Sequence, residues 1–422
     1  MKTIFIYFTA LLLSACLLGC TKNPKEITAA DILGNPDYPA ISYGGYRQNT
    51  RDIVPTIGEI KDDLKILSAM GVGVLRTYNT QEFAHASNLL KAIRELKEEN
   101  SDFEMYVMLG AWIECQGAWT ASADHSQGNE SNNLAEIEAA VLLANQYDDI
   151  VKVIAVGNEA MVHWAATYFV HPPVILKWVN HLQNLKKAGK IPVDIWITSS
   201  DNFASWGGGD ASYHTDDLET LIKAVDYISL HTYPFHDSHY NSDFWNVPED
   251  EEELSDLEKI DAAMLRAKDY AISQYQAASD YIKSLGIDKP IHIGETGWAS
   301  IDGSIYGDAG SKAADEYKEK LYYDYMRDWT SKAGISCFYF EAFDEKWKDQ
   351  ISASGSENHF GLINLNGQAK FALWDLVDKG VFDGLTRNGV PITKTYDGDI
   401  DRLLKAIKHP PLRSKKELAN QK

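Results

Sequence analysis

Two glutamates stand where they could do chemistry. Glu295 follows a short apolar run, Ile291-His292-Ile293, and is flanked by Gly294 and by Thr296-Gly297-Trp298. A carboxylate at the end of an apolar strand is presented at the strand tip rather than in a core. The glycines beside it are expected to let another surface, such as a ligand, approach the backbone. Upstream, Val151–Val156 is a second apolar run, and it ends in Gly157-Asn158-Glu159. Two strands of one sheet, each delivering a glutamate at its C-terminal tip, make a carboxylate pair. Cleaving an acetal near neutral pH needs a proton on the leaving oxygen. It also needs negative charge, or a nucleophile, against the developing oxocarbenium ion. Two carboxyl groups in unlike environments supply both.

The elements that must position this pair alternate along the chain. Short apolar runs read as strands at 41–46, 73–78, 103–109, 151–156, 194–198, 227–231, 291–293 and 335–340. Between them lie helical patterns, for example Ile57, Ile60, Leu64 and Leu67, or Phe83, Leu89, Leu90, Ile93 and Leu96. Pro172-Pro173 suits a helical first turn. Eight such alternations predict an α/β fold, a single (β/α)8 barrel over residues 39–385 with elaborated βα loops. A C-terminal extension, 386–422, is expected to wrap it. Chemistry in such barrels sits at the C-terminal strand ends. There the chain places Arg76 and Tyr78, Asn158 and Glu159, His231 and Tyr233, Glu295 and Trp298. Strand 8 adds Glu341, Asp344, Glu345 and Lys348, with Glu357 beyond. Strands 4 and 7 face each other across an eight-stranded barrel, so a carboxyl separation of roughly 5–5.5 Å is expected, the retaining geometry. Arg76 fits a structural barrel partner as well as a ligand contact.

Gly157-Asn158-Glu159 and Gly294-Glu295-Thr296-Gly297-Trp298 together resemble the clan of retaining (β/α)8 glycosidases. Within that clan the sequence is most similar to glycoside hydrolase family 17, the β-1,3-glucanases. That family follows strand 8 with Phe-Asn/Asp-Glu-x-x-Lys and later Glu-x-x-Phe-Gly-Leu. Here stand Phe343-Asp344-Glu345-Lys346-Trp347-Lys348 and Glu357-Asn358-His359-Phe360-Gly361-Leu362. Arg76-Thr77-Tyr78 and Tyr233-Pro234 also resemble family positions. The resemblance implies Glu159 as acid/base and Glu295 as nucleophile. It implies Tyr78 and Tyr233 orienting the nucleophile, and Asn158 holding a 2-hydroxyl. Glu345, Lys348 and Glu357 match an accessory polar cluster. Trp298, Trp347 and Phe360 are candidate sugar platforms. The implied substrate is a laminarin-like β-1,3-glucan, cleaved internally and without a cofactor. Transglycosylation by the same glutamates, or an inactive glycan-binding lipoprotein, are the alternatives. The presence of both carboxylates and both tyrosines speaks against the second. The chain departs from plant members in its leader and in long loops after strands 3 and 6.

A net charge of −21 argues against nucleic acid or an anionic membrane surface as partner. It fits a neutral substrate, or none; the catalytic domain is expected to be monomeric. Met1-Lys2, the apolar run Ile4–Leu13 and Leu17-Leu18-Gly19-Cys20 read as a signal segment over 1–20. It resembles a bacterial lipoprotein signal with Cys20, or alternatively Cys16, as the lipidated residue. An ordinary cleaved signal peptide is the other reading. A polar tether, 21–38, follows. The expected location is the bacterial cell envelope, on a lipid anchor alone. Of the remaining cysteines, Cys337 reads as a buried thiol, and Cys115 with Cys337 makes no disulfide framework. His231, His236, Asp237 and His239 are closely spaced, but the carboxylate mechanism has no use for a metal, and none is expected. Gly207-Gly208-Gly209 lacks the Lys-Ser/Thr of a phosphate loop and reads as a flexible surface loop.

Overall fold

The computed structural model describes residues 27–81 and 84–413. Cys16, Cys20, the first part of the tether, Phe83 and Lys415-Lys416 lie outside the described residues. The eight strands are β1 Ala40–Ser42, β2 Val74–Arg76, β3 Tyr106–Ala111, β4 Val151–Asn158, β5 Trp196–Asn202, β6 Ile228–His231, β7 Ile291–Thr296 and β8 Cys337–Tyr339. All pair in parallel with their chain neighbours, and β1 closes on β8. This is the (β/α)8 barrel that the alternation predicts.

The helices follow local chemistry. The first, α1 (Ile57–Ala69), starts at Thr56. Its side chain accepts from the Glu59 amide at 3.2 Å, while the Glu59 carboxylate accepts from the Thr56 amide at 2.8 Å. That reciprocal cap satisfies two orphan donors. Next come α2 (His85–Glu99), α3 (Glu130–Gln146) and α4 (Pro172–Lys187), the last with its prolines in the first turn. They are followed by α5 (Asp216–Ala224), the long α6 (Asp256–Ser284) and α7 (Glu316–Ala333). Helix α7 stops at Gly334 in the left-handed region (φ 66°), a conformation glycine adopts without penalty. No described helix is long and apolar enough to cross a membrane.

The barrel interior changes character from bottom to top. At the N-terminal end, Ala40, Val74, Tyr106, Met108, Val153, Ala155, Tyr227 and Phe338 form an apolar layer. Ala29, Ile32 and Leu33 close it from below. Residues 27–38 therefore do not act as a free spacer, which corrects the tether reading for the described part. A helical turn, Ala29–Ile32, buries its apolar side against the N-terminal end of the barrel. At the C-terminal end the interior turns polar, with Ser42, Arg76, Thr198, Ser200, Ser229, His231 and Glu295 all buried. This explains why β5 runs four residues past its expected end at Thr198. The apolar period stops, but the strand pairing continues through Asn202 opposite His231. Conversely β1, expected to reach Tyr46, ends at Ser42. Tyr43 and Tyr46 then turn toward the cleft, and Gly45 takes φ +69°.

The extension beyond residue 385 is integral to the fold. Gln368–Ala369 pairs with Thr393–Lys394. Arg387, fully buried, donates to Asp63 of α1 at 3.0 Å, and Asp63 also accepts from Tyr43 at 3.1 Å and Arg47 at 2.9 Å. Removing one partner of a buried pair leaves the other charge uncompensated. Arg387→Met should therefore cost about 3 kcal/mol, the low end for such pairs because Asp63 keeps Arg47. Chemical denaturation measures this; an unchanged midpoint would show that the extension merely lies on the surface.

Candidate active site

Both glutamates reach the barrel mouth through a β-bulge. Against β6, strand β7 skips a residue: Leu230 pairs with Ile293 and His231 with Glu295. The extra residue is Gly294. A Cβ there would fall 2.0 Å from the Ser229 hydroxyl. Against β5, strand β4 does the same, with Ala155 opposite Thr198 and Asn158 opposite Ser200. Here Gly157 takes φ +84°, and Glu159 itself is left-handed at φ +45°. A bulge reverses the alternation of side chains and re-aims those beyond it. Without it, Glu295 and Asn158 would point outward to the helices. Gly294 thus packs closely against the neighbouring strand, and a Cβ on Gly297 would fall 2.1 Å from the Phe340 carbonyl. The glycines beside Glu295 serve close packing rather than the approach of a ligand, which corrects the sequence reading.

The two carboxyls sit in opposite electrostatic settings. Glu295 accepts from Arg76 at 2.5 Å and Tyr78 at 2.8 Å on one oxygen, and from Tyr233 at 2.7 Å on the other. Burial pushes its pKa up, but Arg76 and the hydroxyls outweigh burial and hold it at about 2. The tyrosines stay protonated, because burial and then Glu295 raise both well above the usual range. Arg76 also donates to the Asn158 side chain at 2.5 Å and to the Gly294 carbonyl at 2.8 Å. Its role is that of an internal partner. For Glu159, burial and then the negative charge of Glu295 raise the pKa to about 8. Its side-chain neighbour is His231, whose Nδ1 lies 3.1 Å away and whose Nε2 lies 2.7 Å from the Ser200 hydroxyl. Burial lowers the His231 pKa to about 4, so the ring is neutral near pH 7.

Strand 8 supplies a second polar group. Lys348 pairs with Glu341 at 2.6 Å and Glu345 at 3.2 Å. Glu345 accepts from the Tyr46 amide at 2.9 Å and the Trp347 indole at 3.0 Å. Lys348 is thus a largely covered bridge, and Glu345 ties the loop after β1 to that after β8. Asp344 turns inward to Lys370 at 2.8 Å. The cleft has two lobes. One, of about 720 Å³, is lined by Tyr78, Asn158, Trp112, Trp119, Glu345 and Trp347 among others. The other, of about 690 Å³, is lined by Glu159, Trp164, Tyr233, His236, Tyr240 and Tyr306 among others. Glu295, Phe340 and Glu357 line both, so the lobes meet at Glu295.

Comparison with known proteins agrees with this geometry. Residues 40–361 match the family model described as the BtgE/BtgC glycoside hydrolase domain. The chain belongs to this family. The chain is 62% identical to an endo-laminarinase from Formosa Hel1_33_131 of known structure. That likeness covers 92% of this chain and 99% of that one, with a TM-score of 0.91. A glucan 1,3-beta-glucosidase of Arthroderma benhamiae is 27% identical over 372 residues, 85% of this chain and 95% of that one. A family 17 beta-1,3-glucanosyltransferase from Rhizomucor miehei shares the fold at 20% identity and a TM-score of 0.55, over 80% of this chain and 96% of that one. The family 17 resemblance of the motifs is in accord with these matches.

In this BtgE/BtgC glycoside hydrolase the structure gathers Glu159, Glu295, Tyr78, Asn158, Tyr233, Glu345, Trp347, Lys348 and Glu357 around the cleft. Two proposed sugar platforms need correction. Trp298 is fully buried, donates its indole N–H to the Ala313 carbonyl at 2.8 Å and packs on Phe235, Trp245 and Tyr322. It supports the loop after β7 and offers no face to a ligand. Phe360, also fully buried, stands edge-on behind Tyr233 and Phe340 and backs the wall. The triple glycine is a packed turn: a Cβ on Gly207 would strike the Tyr281 ring at 1.9 Å. Among the described residues no group of three or more His, Cys, Asp or Glu is arranged for a metal ion. Cys115 and Cys337 are free, buried thiols. Sequence reasoning missed His231 as a partner of Glu159. It also missed Trp112, Glu114, Trp119 and Tyr168, which line the larger lobe.

Arg76 is 1% exposed and faces a carboxylate that, without it, would keep only two neutral donors, Tyr78 and Tyr233. Arg76→Met should cost about 3–5 kcal/mol of stability at neutral pH, as expected for breaking a buried ion pair. The loss should shrink on acidification, as Glu295 takes up a proton in the variant. Urea denaturation across pH reads both effects, and a pH-independent loss would mean that Arg76 acts by packing alone.

Proposed function

We propose that this protein hydrolyses internal β-1,3-glucosidic bonds of laminarin-like glucans with retention of configuration. The observation that carries the reading is the split between its two carboxyls. Glu295 is held ionised by Arg76, Tyr78 and Tyr233, as a nucleophile requires. Glu159 keeps its proton to about pH 8, as a general acid requires. Glu159 protonates the leaving oxygen while Glu295 attacks C1 from the other face of the sugar. The glycosyl-enzyme forms, the leaving sugar departs, and Glu159, now ionised, takes a proton from the water that releases the product. Asn158, with its carbonyl engaged by Arg76, has its amide N–H free in role to meet the 2-hydroxyl. Tyr78 and Tyr233 fix the nucleophile. Glu345, Lys348 and Glu357 order the hydroxyl-binding side of the cleft, and Trp347 offers a ring to the sugar.

The acid must stand on the leaving-group side, and Glu159 lines only the smaller lobe. That lobe takes the leaving chain, and the larger one, with Tyr78 and Asn158, takes the glycone. Two open lobes meeting at Glu295 suit cleavage inside a chain. The similarity to an endo-laminarinase supports the same substrate. The aromatic rings of the leaving-group lobe, among them Trp164, Tyr240 and Tyr306, also favour a second reading. A sugar bound there competes with water and yields transfer products. We further propose a monomer held at the bacterial envelope by lipid on Cys20, with Cys16 as the alternative.

Glu295→Gln should abolish turnover of laminarin while leaving oligosaccharide binding largely intact; normal hydrolysis would remove the nucleophile assignment. Glu159→Gln should spare substrates with good leaving groups, and azide should rescue it as a β-glycosyl azide. An α-azide would signify inversion. In the wild type, kcat/KM should fall as pH rises through about 8, because the deprotonated acid cannot protonate the leaving oxygen. Glu159→Gln should lose that alkaline limb, and a retained limb would assign the ionisation to another group.

A further inference from the structure

Trp119 is a bulky residue in the left-handed backbone region, with φ +64°. Such a conformation persists only where its surroundings fix it, and it gathers at ligand sites. The surroundings here are specific. The Trp119 amide donates to the Thr167 carbonyl at 2.8 Å, and the Cys115 amide donates to the Tyr168 carbonyl at 3.0 Å. These bonds fasten the ribbon of Cys115–Gln116 and Asp124–Gly128 to the loop after β4. The indole N–H donates to Glu114 at 3.1 Å. The other oxygen of Glu114 accepts from the side chains of Asn129 at 2.8 Å and Asn132 at 2.9 Å. The ring is therefore set at its backbone, at its edge and from behind. Tyr168 lies 5.0 Å from the rings of both Trp119 and Trp112.

All this ordering holds in place a side chain that is 60% exposed. An exposed tryptophan in a strained conformation gains little by packing, so the arrangement serves the face it presents. That face lies on the wall of the larger lobe, on the ribbon rather than at a strand tip. Trp112 follows β3 directly, beside the strand that carries Asn158. Trp119 is the more exposed of the two. A β-linked glucopyranose has an apolar C–H face suited to an indole and equatorial hydroxyls suited to acceptors at its edge. Glu114 and Asn132 line the same lobe, and a carboxylate has lone pairs beyond those already engaged.

We propose that the outer face of Trp119, backed by Tyr168 and Trp112, binds a β-1,3-linked glucosyl unit remote from the cleaved bond at the distal end of the glycone lobe. The inference rests on the proposed glucanase reading and adds to it a residue set that fixes chain-length preference. A short substrate spans the cleaved bond without reaching Trp119, whereas a longer one gains its ring.

The test compares wild type, Trp119→Ala and Trp119→Tyr on linear oligosaccharides from laminaritriose to laminariheptaose. Each is measured as kcat and KM, with melting temperature as a check on folding. In Trp119→Ala the ratio of kcat/KM for the longest to the shortest substrate should fall about tenfold, equivalent to about 1.4 kcal/mol. The change should lie mainly in KM, and Trp119→Tyr should recover most of it. A loss equal at every chain length would make Trp119 a structural prop. No loss at any length would remove it from binding. Both outcomes overturn the inference while the wild type still cleaves these substrates. Failure of the wild type to cleave any of them would instead overturn the proposed function itself.

Discussion

A guanidinium crossing the inside of the barrel holds the upper half of this structure together. Arg76 leaves β2 and meets Glu295 and the Gly294 carbonyl on β7, and Asn158 on β4. Both charges of the pair are almost wholly out of water. Removing two ions from water costs several kcal/mol each, and their attraction repays this only when the remaining hydrogen-bonding groups are satisfied. Tyr78 and Tyr233 provide that satisfaction for Glu295. The ionised carboxylate in turn sets the condition of Glu159, whose proton is retained because burial and a fixed negative charge both oppose its loss. One ion pair thereby forces the two glutamates into different protonation states, and the chemistry proposed for the cleft follows from that difference.

The rest of the molecule makes this polar interior tolerable. Below Arg76 the barrel is apolar and closed by Ala29, Ile32 and Leu33. At the mouth, loops replace strands. Glu345 joins the loops after β1 and β8, and Asp63 joins α1, the loop after β1 and the C-terminal extension through Arg47 and Arg387. The walls of the cleft are thus built by contacts between segments far apart in the chain, each satisfied by charge or hydrogen bonding rather than by size of core.

Much of this was legible in the sequence, and the rest was not for definable reasons. The barrel was readable because apolar runs and helical periods alternate without a break. The two glutamates were readable because each ends an apolar run beside glycine. The bulges were not: a glycine before an acid does not reveal whether the partner strand keeps or skips a residue. Nor was the bond from Arg76 to Glu295, which links strands two and seven. Trp298 misled because nearness in sequence to an acid says nothing about direction; three residues past Glu295 the chain has already turned under Phe235 and Tyr322. Trp119 was hidden in a stretch without period, where two short strands of polar residues form a ribbon held by backbone bonds. Residues 27–38 read as spacer because their apolar side chains are too few to show a period, yet Ala29, Ile32 and Leu33 suffice to plug a barrel end.

The central claim is that Glu295, ionised by Arg76, forms a covalent bond to C1 of the sugar. It is tested most directly with a laminaribioside carrying fluorine at C2 and an activated leaving group, which slows release of the glycosyl-enzyme more than its formation. Peptide mass spectrometry of the inactivated protein should place the added sugar on the peptide containing Glu295. A sugar on any other residue, or steady turnover with an inverted product and no adduct, would contradict it.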